Sequence, residues 1–322
     1  MTGMLATDTP NVIADALRDA DAVTILCHVR PDADTIGSGL GLGLALRRLG
    51  LDVEVSFPGD TPLPDGLSEL PGVELLVASD DVVGYDTVVA VDAATLGRLA
   101  CLASYFSEAT RSIVIDHHVS NTGFGSIDYV DPGADCTAVL VLNVVDRLGV
   151  DVDADIATCL YAGLITDTGS FKWARPASLT IAARLLEAGV DGARWSRTLL
   201  DSHPFAWLQM VEKVLATATL REDALQGRGL VYAVIDHAAS EGLDWAESES
   251  VIDVVRTVSE AEVAAVFKEG KPGEWTVSLR SKSSVDLVPI AQSHGGGGHH
   301  RAAGYSDTGF ADDVVARLVD AL

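Results

Sequence analysis

Ionisable residues stand at the ends of several apolar segments that have the β-branched composition of strands. The first segment runs into His28-Val29-Arg30-Pro31-Asp32-Ala33-Asp34. The third predicted strand ends on Asp92, the fourth ends on Asp116-His117-His118, and Asp167 lies further on in LITDTGSF. Ligands of open α/β sheets bind beyond the carboxyl ends of the strands, so we expect these side chains to meet in one site.

The donor types in this set predict a metal centre. Carboxylates suit hard divalent cations and Mn²⁺ also accepts imidazole, so an Asp-rich set with His and without Cys favours manganese over structural zinc. Mg²⁺ and Co²⁺ are the weaker alternatives. Two ions about 3.5–4 Å apart, as in two-metal phosphoryl hydrolysis, need a carboxylate that bridges them. Asp92, alone at its strand end, is the predicted bridge.

Each of these residues also has an ordinary structural role open to it. A single Asp after a strand is commonly a helix N-cap, and a single buried His is commonly a hydrogen-bonded core residue. Four clusters in one domain are harder to explain in this way. Moreover, acids as near in sequence as Asp32 and Asp34 would repel each other in a site without cations.

A glycine-rich segment near the C-terminus, GGGGHHRAAG at residues 295–304, is the second candidate site. Consecutive glycines let backbone N–H groups approach an anion, and a helix that began after them would add a favourable dipole. A glycine run alone is typical of a flexible loop, but the neighbouring His and a nearby Arg favour a phosphate site. The predicted substrate contacts are Arg280, Gly296, Gly297, Gly298 and His299.

The elements that must position these residues alternate between strands and helices, which predicts an α/β fold with a parallel sheet covered by helices on both faces. Strands are predicted at 23–29, 53–57, 87–92 and 112–116, and helices near 11–20, 36–49 and 137–148. Further helices are predicted at 154–166, 178–189 and 204–218.

The second half of the chain predicts a smaller, mixed α/β domain. GLVYAVID, EVAAVFKEG and EWTVSLRS have the composition of strands, with helices expected near 246–258 and 310–322. We therefore predict a catalytic, metal-binding domain at 1–200, a helical linker at 201–222 and a nucleotide-binding domain at 223–322.

Charge and composition restrict the partners. The 322-residue chain has 22 Lys and Arg against 47 Asp and Glu, and its formal charge of −25 would repel extended duplex DNA. A small anion remains acceptable where metal ions reverse the local field. Four cysteines without metal-binding or disulfide spacing fit a reducing cytoplasm, and we expect no export signal and no membrane segment.

The motifs together resemble those of the DHH phosphoesterases, a family named for the triplet that stands here as Asp116-His117-His118. HVRPDAD, the strand-end Asp92, the triplet and DTGSF occur in family order, and GGGGHHRAAG is similar to the DHH-associated domain. The likeness covers nearly the whole chain and is greatest to the short members that act as nano-RNases, 3′-phosphoadenosine 5′-phosphate (pAp) phosphatases and cyclic-di-AMP phosphodiesterases.

The resemblance implies a role for each site residue. His28, Asp32 and Asp92 would hold one Mn²⁺, and Asp34, Asp92, His117 and Asp167 would hold the other. Asp116 would orient His117, and His118 would face the substrate and leaving group.

The resemblance also implies an activity: a hydroxide activated by the two metals would hydrolyse cyclic-di-AMP, linear dinucleotides or pAp. A homodimer is expected. The alternatives are an inorganic pyrophosphatase or exopolyphosphatase, which the glycine-rich segment disfavours, and a nucleotide sensor without catalysis, which the complete ligand set disfavours.

Overall fold

The computed structural model describes residues 8–59 and 62–322, and the chain divides into two compact units, Met1–Ser202 and His203–Leu322. The first unit is built on a parallel sheet with the strand order β2-β1-β3-β4-β5. Its strands are β1 Ala22–Leu26, β2 Asp52–Ser56, β3 Thr87–Val91, β4 Arg111–Asp116 and β5 Ile127–Val130. Every residue of β3 is buried, as expected for a strand that is covered on both faces.

Helices cover both faces of this sheet. They are α1 Thr9–Arg18, α2 Ala33–Arg48, α3 Asp65–Ser68, α4 Ala103–Glu108, α5 Thr137–Leu148, α6 Ala154–Asp167, α7 Pro176–Glu187 and α8 Gly192–Leu200. Alternate strand residues such as Ile25 and Val89 contribute to the large core with α1, α2, α5 and α6. Leu26 and Val88 belong to a second core with Phe106 of α4 on the opposite face.

The contact between α2 and α6 brings two parts of the candidate site together. Gly163 of α6 faces Asp34 of α2, and a Cβ at Gly163 would lie 2.4 Å from Asp34 Oδ1. No side chain fits at this position without displacing the carboxylate. Gly163 therefore allows α6 to pass close to Asp34 and to carry Asp167, its last residue, toward the same edge of the sheet.

The second unit is a six-stranded mixed sheet with the order β10-β11-β9-β8-β7-β6. The strands are β6 Thr219–Arg221, β7 Leu230–Ile235, β8 Val263–Lys271, β9 Glu274–Ser281, β10 Gly297–His299 and β11 Ala302–Thr308, and only β7 and β8 pair in parallel among these described strands. Its helices are α9 Phe205–Leu215, α10 Ala224–Gly227, α11 Trp245–Val255, α12 Val288–Ser293 and α13 Ala311–Ala321.

The predicted fold class, a parallel α/β unit followed by a smaller mixed one, is confirmed. The elements that went unpredicted are the strands β5, β6, β10 and β11 and the helices α3, α4, α8, α10 and α12. In the edge strand β5, Tyr129 is buried and Asp128 is exposed. The segment predicted as a linker forms α9, and its Met210 and Val214 are buried in a core of the second unit. The catalytic, linker and nucleotide-binding roles of 1–200, 201–222 and 223–322 stay predictions.

Across the described residues, no helix combines the length and apolar character needed to cross a membrane.

Candidate metal centre

The candidate site lies where the strand order of the parallel sheet reverses. The chain goes from β1 to β2 on one side and then returns to β3 on the other side of β1. Such a reversal opens a crevice beyond the carboxyl ends of the strands. His28 lies two residues after β1, Asp92 follows β3 directly, and Asp116 is the last residue of β4. The sheet thus delivers three of the predicted clusters to one edge.

His28, Asp32 and Asp92 form the first group of donors. His28 Nε2 lies 3.5 Å from Asp32 Oδ2 and 3.5 Å from Asp92 Oδ2. On the other side of the ring, Nδ1 is 2.9 Å from the carbonyl oxygen of Val29 and 3.0 Å from Nη2 of Arg98. Burial lowers the pKa of His28, but the carboxylates of Asp32 and Asp92 outweigh it and raise the pKa to about 9. The imidazole Nε2 therefore points into a strongly anionic site.

Asp34, His117 and Asp167 form the second group. Nε2 of the buried His117 lies 3.3 Å from Asp167 Oδ2, 3.8 Å from Asp34 Oδ2 and 3.6 Å from Asp92 Oδ1. Burial is the main reason that the pKa of His117 is lowered, which keeps the ring neutral and able to donate a lone pair.

Asp92 connects the two groups because its two carboxylate oxygens face different histidines. Oδ2 faces His28 and Oδ1 faces His117. Its backbone is in the left-handed region, with φ of 57°, a conformation that non-glycine residues adopt rarely and that is frequent at functional sites. The hydroxyl of Thr137, the first residue of α5, donates to Asp92 Oδ1 at 2.8 Å. The position of this carboxylate is thus determined by its own backbone and by a neighbouring helix.

Asp34 is held by the N-terminus of α5. Its Oδ2 accepts from the backbone N–H of Thr137 at 2.6 Å, and its Oδ1 accepts from that of Ala138 at 2.9 Å. Burial, followed by the charges of Asp92 and Asp32, nevertheless raises the pKa of Asp34 well above its ordinary value, although these N–H groups oppose the rise. Buried carboxylates this close together are unfavourable unless positive charge is added.

The third group consists of Asp116, His118 and Asp92. Nδ1 of His118 donates to Asp116 Oδ1 at 2.7 Å, and Nδ2 of Asn121 donates to Asp116 Oδ2 at 2.7 Å. The carboxylate of Asp116 thus binds the next histidine, His118, and the expectation that Asp116 orients His117 stays a prediction. His117 has a hydrogen bond to the backbone of Ala134. Burial opposes ionisation of Asp116, but the hydrogen bond and charge of His118 hold its pKa down at about 2.

The geometry of the donors fits divalent cations. Two donor atoms that are each about 2.1 Å from one ion lie about 3.0–3.4 Å apart at octahedral or tetrahedral angles. The separations around His28 and His117 are 3.3–3.8 Å, so the donors are already arranged about two points that share Asp92. Six predicted metal ligands therefore meet in one place: His28, Asp32, Asp34, Asp92, His117 and Asp167.

The predicted substrate contacts belong to the second unit, where Arg280 lies on β9 and Gly297, Gly298 and His299 lie on β10, with β11 between these strands. Arg280 of β9 pairs with Ala302 of β11, which pairs with His299 of β10. Since directly paired residues point to the same face of a sheet, Arg280 and His299 share a face across one small residue.

In this described segment the glycines are followed by a strand and not by a helix: Gly297 and Gly298 belong to β10 and pair with β11. A Cβ at Gly296 would lie 2.1 Å from the carbonyl oxygen of Gly304, and one at Gly298 would lie 2.5 Å from that of Ala302. Close strand packing thus requires these glycines. Whether they also bind phosphate stays a prediction.

Comparison with known proteins agrees with this architecture. Residues 22–164 match the DHH family, N-terminal domain, and residues 227–322 match the DHHA1 domain. The chain is also 33% identical to the bifunctional oligoribonuclease and PAP phosphatase NrnA of Thermus thermophilus, over 97% of this chain and 92% of the relative.

The chain belongs to the DHH family. It is accordingly a hydrolase of phosphoester bonds, as the motifs predict. A second relative, the probable bifunctional oligoribonuclease and PAP phosphatase NrnA of Streptococcus mutans, is 28% identical over 94% of this chain and 95% of its own length. The fold is shared with the crystal structure of an exopolyphosphatase-related protein from Bacteroides fragilis, with a TM-score of 0.85 and 23% identity over 100% of this chain and 97% of that one.

Three residues that contact the site of this DHH-family chain were not predicted. Thr137 bonds to Asp92, Asn121 bonds to Asp116, and Arg98 reaches His28. Thr137 and Asn121 have a weak signal in the sequence, since Thr137 opens a predicted helix and Asn121 closely follows the DHH triplet. Arg98 has none, because it comes from a 3₁₀ segment, Leu96–Leu102, whose position depends on the tertiary fold.

Proposed function

We propose that this protein is a manganese-dependent hydrolase of small nucleotides that converts short oligoribonucleotides to mononucleotides and pAp to AMP. The observation that carries the proposal is the position of Asp92, whose two carboxylate oxygens lie 3.5 Å and 3.6 Å from two different histidines. A carboxylate shared in this way is what a pair of cations requires.

The proposed ligands of one ion are His28, Asp32 and Asp92, and those of the other are Asp34, Asp92, His117 and Asp167. Two divalent cations would supply an activated water at neutral pH. They would neutralise the negative charge that develops on the phosphoryl oxygens of the substrate. They would also compensate the repulsion among carboxylates, two of which, Asp34 and Asp92, are 0% and 3% exposed. Imidazole together with carboxylate favours Mn²⁺, with Mg²⁺ and Co²⁺ as weaker alternatives.

His118 is proposed to contact the substrate. The bond from its Nδ1 to Asp116 orients the ring, and a nitrogen of an oriented imidazole can hydrogen-bond an oxygen of the phosphoester or of the leaving group. Asn121 in turn holds Asp116 in place, so the orientation of the His118 ring is set by the folded domain before any substrate binds. A side chain held in place before the substrate arrives loses little entropy when it binds.

The DHHA1 domain is proposed to recognise the nucleotide. Arg280 and His299, which share a sheet face across Ala302, supply donors for phosphate, and the small residue between them leaves space above the sheet. The proposed nucleotide contacts also include the backbone of Gly296, Gly297 and Gly298.

The relatives support short nucleotide substrates. Both NrnA relatives are named for oligoribonuclease and PAP phosphatase activity, and the chain covers more than nine-tenths of each. The net charge of −25 is consistent with this choice, because attraction of a long polyanion would require an extended basic surface. A cytoplasmic location and a homodimer stay predictions.

A competition assay tests the proposal. Equal concentrations of pAp, a linear 5′-phosphorylated diadenylate, cyclic-di-AMP and inorganic pyrophosphate are incubated with the enzyme and Mn²⁺, and the products are separated by chromatography. We expect AMP from the first two substrates at the highest rates. Preferred cleavage of cyclic-di-AMP or of pyrophosphate would overturn the proposed substrate class. Asp92→Asn is the matched control, since it removes the bridging charge while changing the side-chain volume little.

A further inference from the structure

The loop that follows Asp167 has an unusual backbone. Gly169, Ser170 and Phe171 have φ values of 54°, 59° and 66°, so three consecutive residues are left-handed and two of them are not glycine. L-residues with side chains avoid this region because Cβ approaches the following carbonyl. Strain of this kind persists only where the surrounding structure enforces it, and it is frequent at functional sites.

The surrounding contacts hold this loop in one conformation. The N–H of Ser170 donates to the carbonyl of Ile165 at 2.8 Å, and the N–H of Phe171 donates to Thr168 Oγ1 at 3.2 Å. The ring of Phe171 packs against Tyr161 with centroids 6.1 Å apart. These contacts attach the loop to the first unit.

This backbone presents Trp173 beside the metal centre. The indole N–H donates to the backbone carbonyl of Asp167 at 2.7 Å, while Asp167 Oδ2 lies 3.3 Å from His117 Nε2. The ring covers Gly169, where a Cβ would lie 2.1 Å from Cη2 of the indole. One glycine thus allows the indole to lie against the residue that supplies a proposed metal ligand.

The indole is nevertheless 48% exposed. A large aromatic side chain that is bonded through its polar atom and is still 48% exposed is suited to contact a ligand. Next to it stands the exposed Lys172, a cation in a chain that has more than twice as many acids as bases. An aromatic ring flanked by positive charge is the combination that binds single nucleotides, since the ring stacks on a base and the cation attracts phosphate.

We infer that Trp173 stacks on a nucleobase of the substrate and thereby sets the preference of the metal centre for nucleotides over other phosphoesters. The inference rests on the proposed function and extends it, because it assigns recognition of a base to the catalytic domain itself. Trp173 takes no part in proton transfer or metal binding in this assignment. Its contribution is affinity for the base.

The test compares substrates with and without bases. Trp173→Ala is assayed with 5′-phosphorylated diadenylate and with the same dinucleotide lacking both bases. Loss of one base–aromatic stack should raise KM for the diadenylate about five- to a hundredfold, with little change for the abasic substrate. Trp173→Phe keeps a stacking ring without the indole N–H and should recover most of the affinity. Equal losses on both substrates would overturn the inference.

Two controls separate stacking from support of Asp167. The Mn²⁺ content of Trp173→Ala should equal that of the parent, and a loss of metal would show that the indole acts through Asp167. Leu179→Ala removes an apolar side chain of similar exposure, 49%, from α7 and should leave both KM values unchanged. An equal rise in KM for the diadenylate in this variant would also count against a specific role for Trp173.

Binding measurements distinguish failure of this inference from failure of the proposed function. Calorimetric titration of the parent with AMP and with ribose 5-phosphate needs no turnover. AMP should bind more tightly than ribose 5-phosphate to the parent, and Trp173→Ala should remove most of this difference even if the substrate of the enzyme proves to be another nucleotide. No difference between the two ligands in the parent would overturn the stacking assignment alone.

Discussion

Thr137→Val tests how the protein positions its bridging carboxylate. Valine has nearly the shape of threonine, and Thr137 is fully buried at the first residue of α5, so the substitution mainly removes the hydroxyl. The backbone N–H that donates to Asp34 is retained. The change therefore isolates one hydrogen bond, from Thr137 Oγ1 to Asp92 Oδ1 at 2.8 Å.

The expected magnitude follows from the type of bond. A hydrogen bond to a charged group contributes about 1.5–3 kcal/mol, which corresponds to about ten- to a hundredfold in Mn²⁺ affinity if Asp92 must be held in place to bind both ions. We expect kcat/KM at limiting Mn²⁺ to fall by a similar factor and saturating Mn²⁺ to restore part of it. The assays are Mn²⁺ titration of activity and elemental analysis after dialysis.

Thr137→Ser is the matched control, because it keeps the hydroxyl and should retain the Mn²⁺ affinity of the parent. An unchanged Mn²⁺ affinity in Thr137→Val would refute the reasoning that this hydrogen bond positions the bridge. An equal loss in Thr137→Ser would assign the effect to helix packing. Thermal unfolding of both variants shows whether the fold is intact.

Three further variants and one metal exchange test the remaining assignments. Asp92→Ala should abolish hydrolysis of every substrate and lower metal content, and retained turnover would exclude the two-metal centre. His118→Ala should lower kcat while metal content is unchanged; loss of manganese would show that this histidine is a ligand. Replacing Arg280 and His299 together by Ala should reduce nucleotide cleavage much more than hydrolysis of bis-p-nitrophenyl phosphate, since each lost charge-assisted contact costs about 1.5–3 kcal/mol. Equal reductions would refute nucleotide recognition by the DHHA1 domain. After chelation, Mn²⁺ should restore activity better than Mg²⁺, and equal rescue would count against imidazole ligation.

The sequence by itself determined the parallel sheet and the set of residues at its edge. Strands buried on both faces need continuous β-branched segments, and residues that directly follow such strands must meet at the carboxyl edge. His28, Asp92 and the DHH triplet could therefore be assigned to one site before their distances were known. Asp167 was included in this set although it follows a predicted helix, and the family resemblance implied which of the two ions it would hold.

Only the tertiary structure decided which groups support these residues. Asp116 and its neighbouring histidines are adjacent in sequence, but the direction of each ring depends on backbone angles, and only the structure shows that Asp116 binds His118. The glycine run was interpreted in sequence as a flexible loop or a phosphate site, and the structure shows that Gly297 and Gly298 pair with β11 as a strand. Long-range pairing cannot be read from local propensity, because it depends on a partner strand.

The contacts across long sequence separations were equally out of reach. Thr137 lies 45 residues from Asp92, and Arg98 lies 70 residues from His28. No local sequence pattern distinguishes such donors from other residues of the same type. Tertiary packing alone places them beside a carboxylate or an imidazole. Residue type and strand position thus determined which chemistry the chain can perform, whereas the packing of α5, α6 and the loop after Asp167 decided the orientation of the groups that perform it.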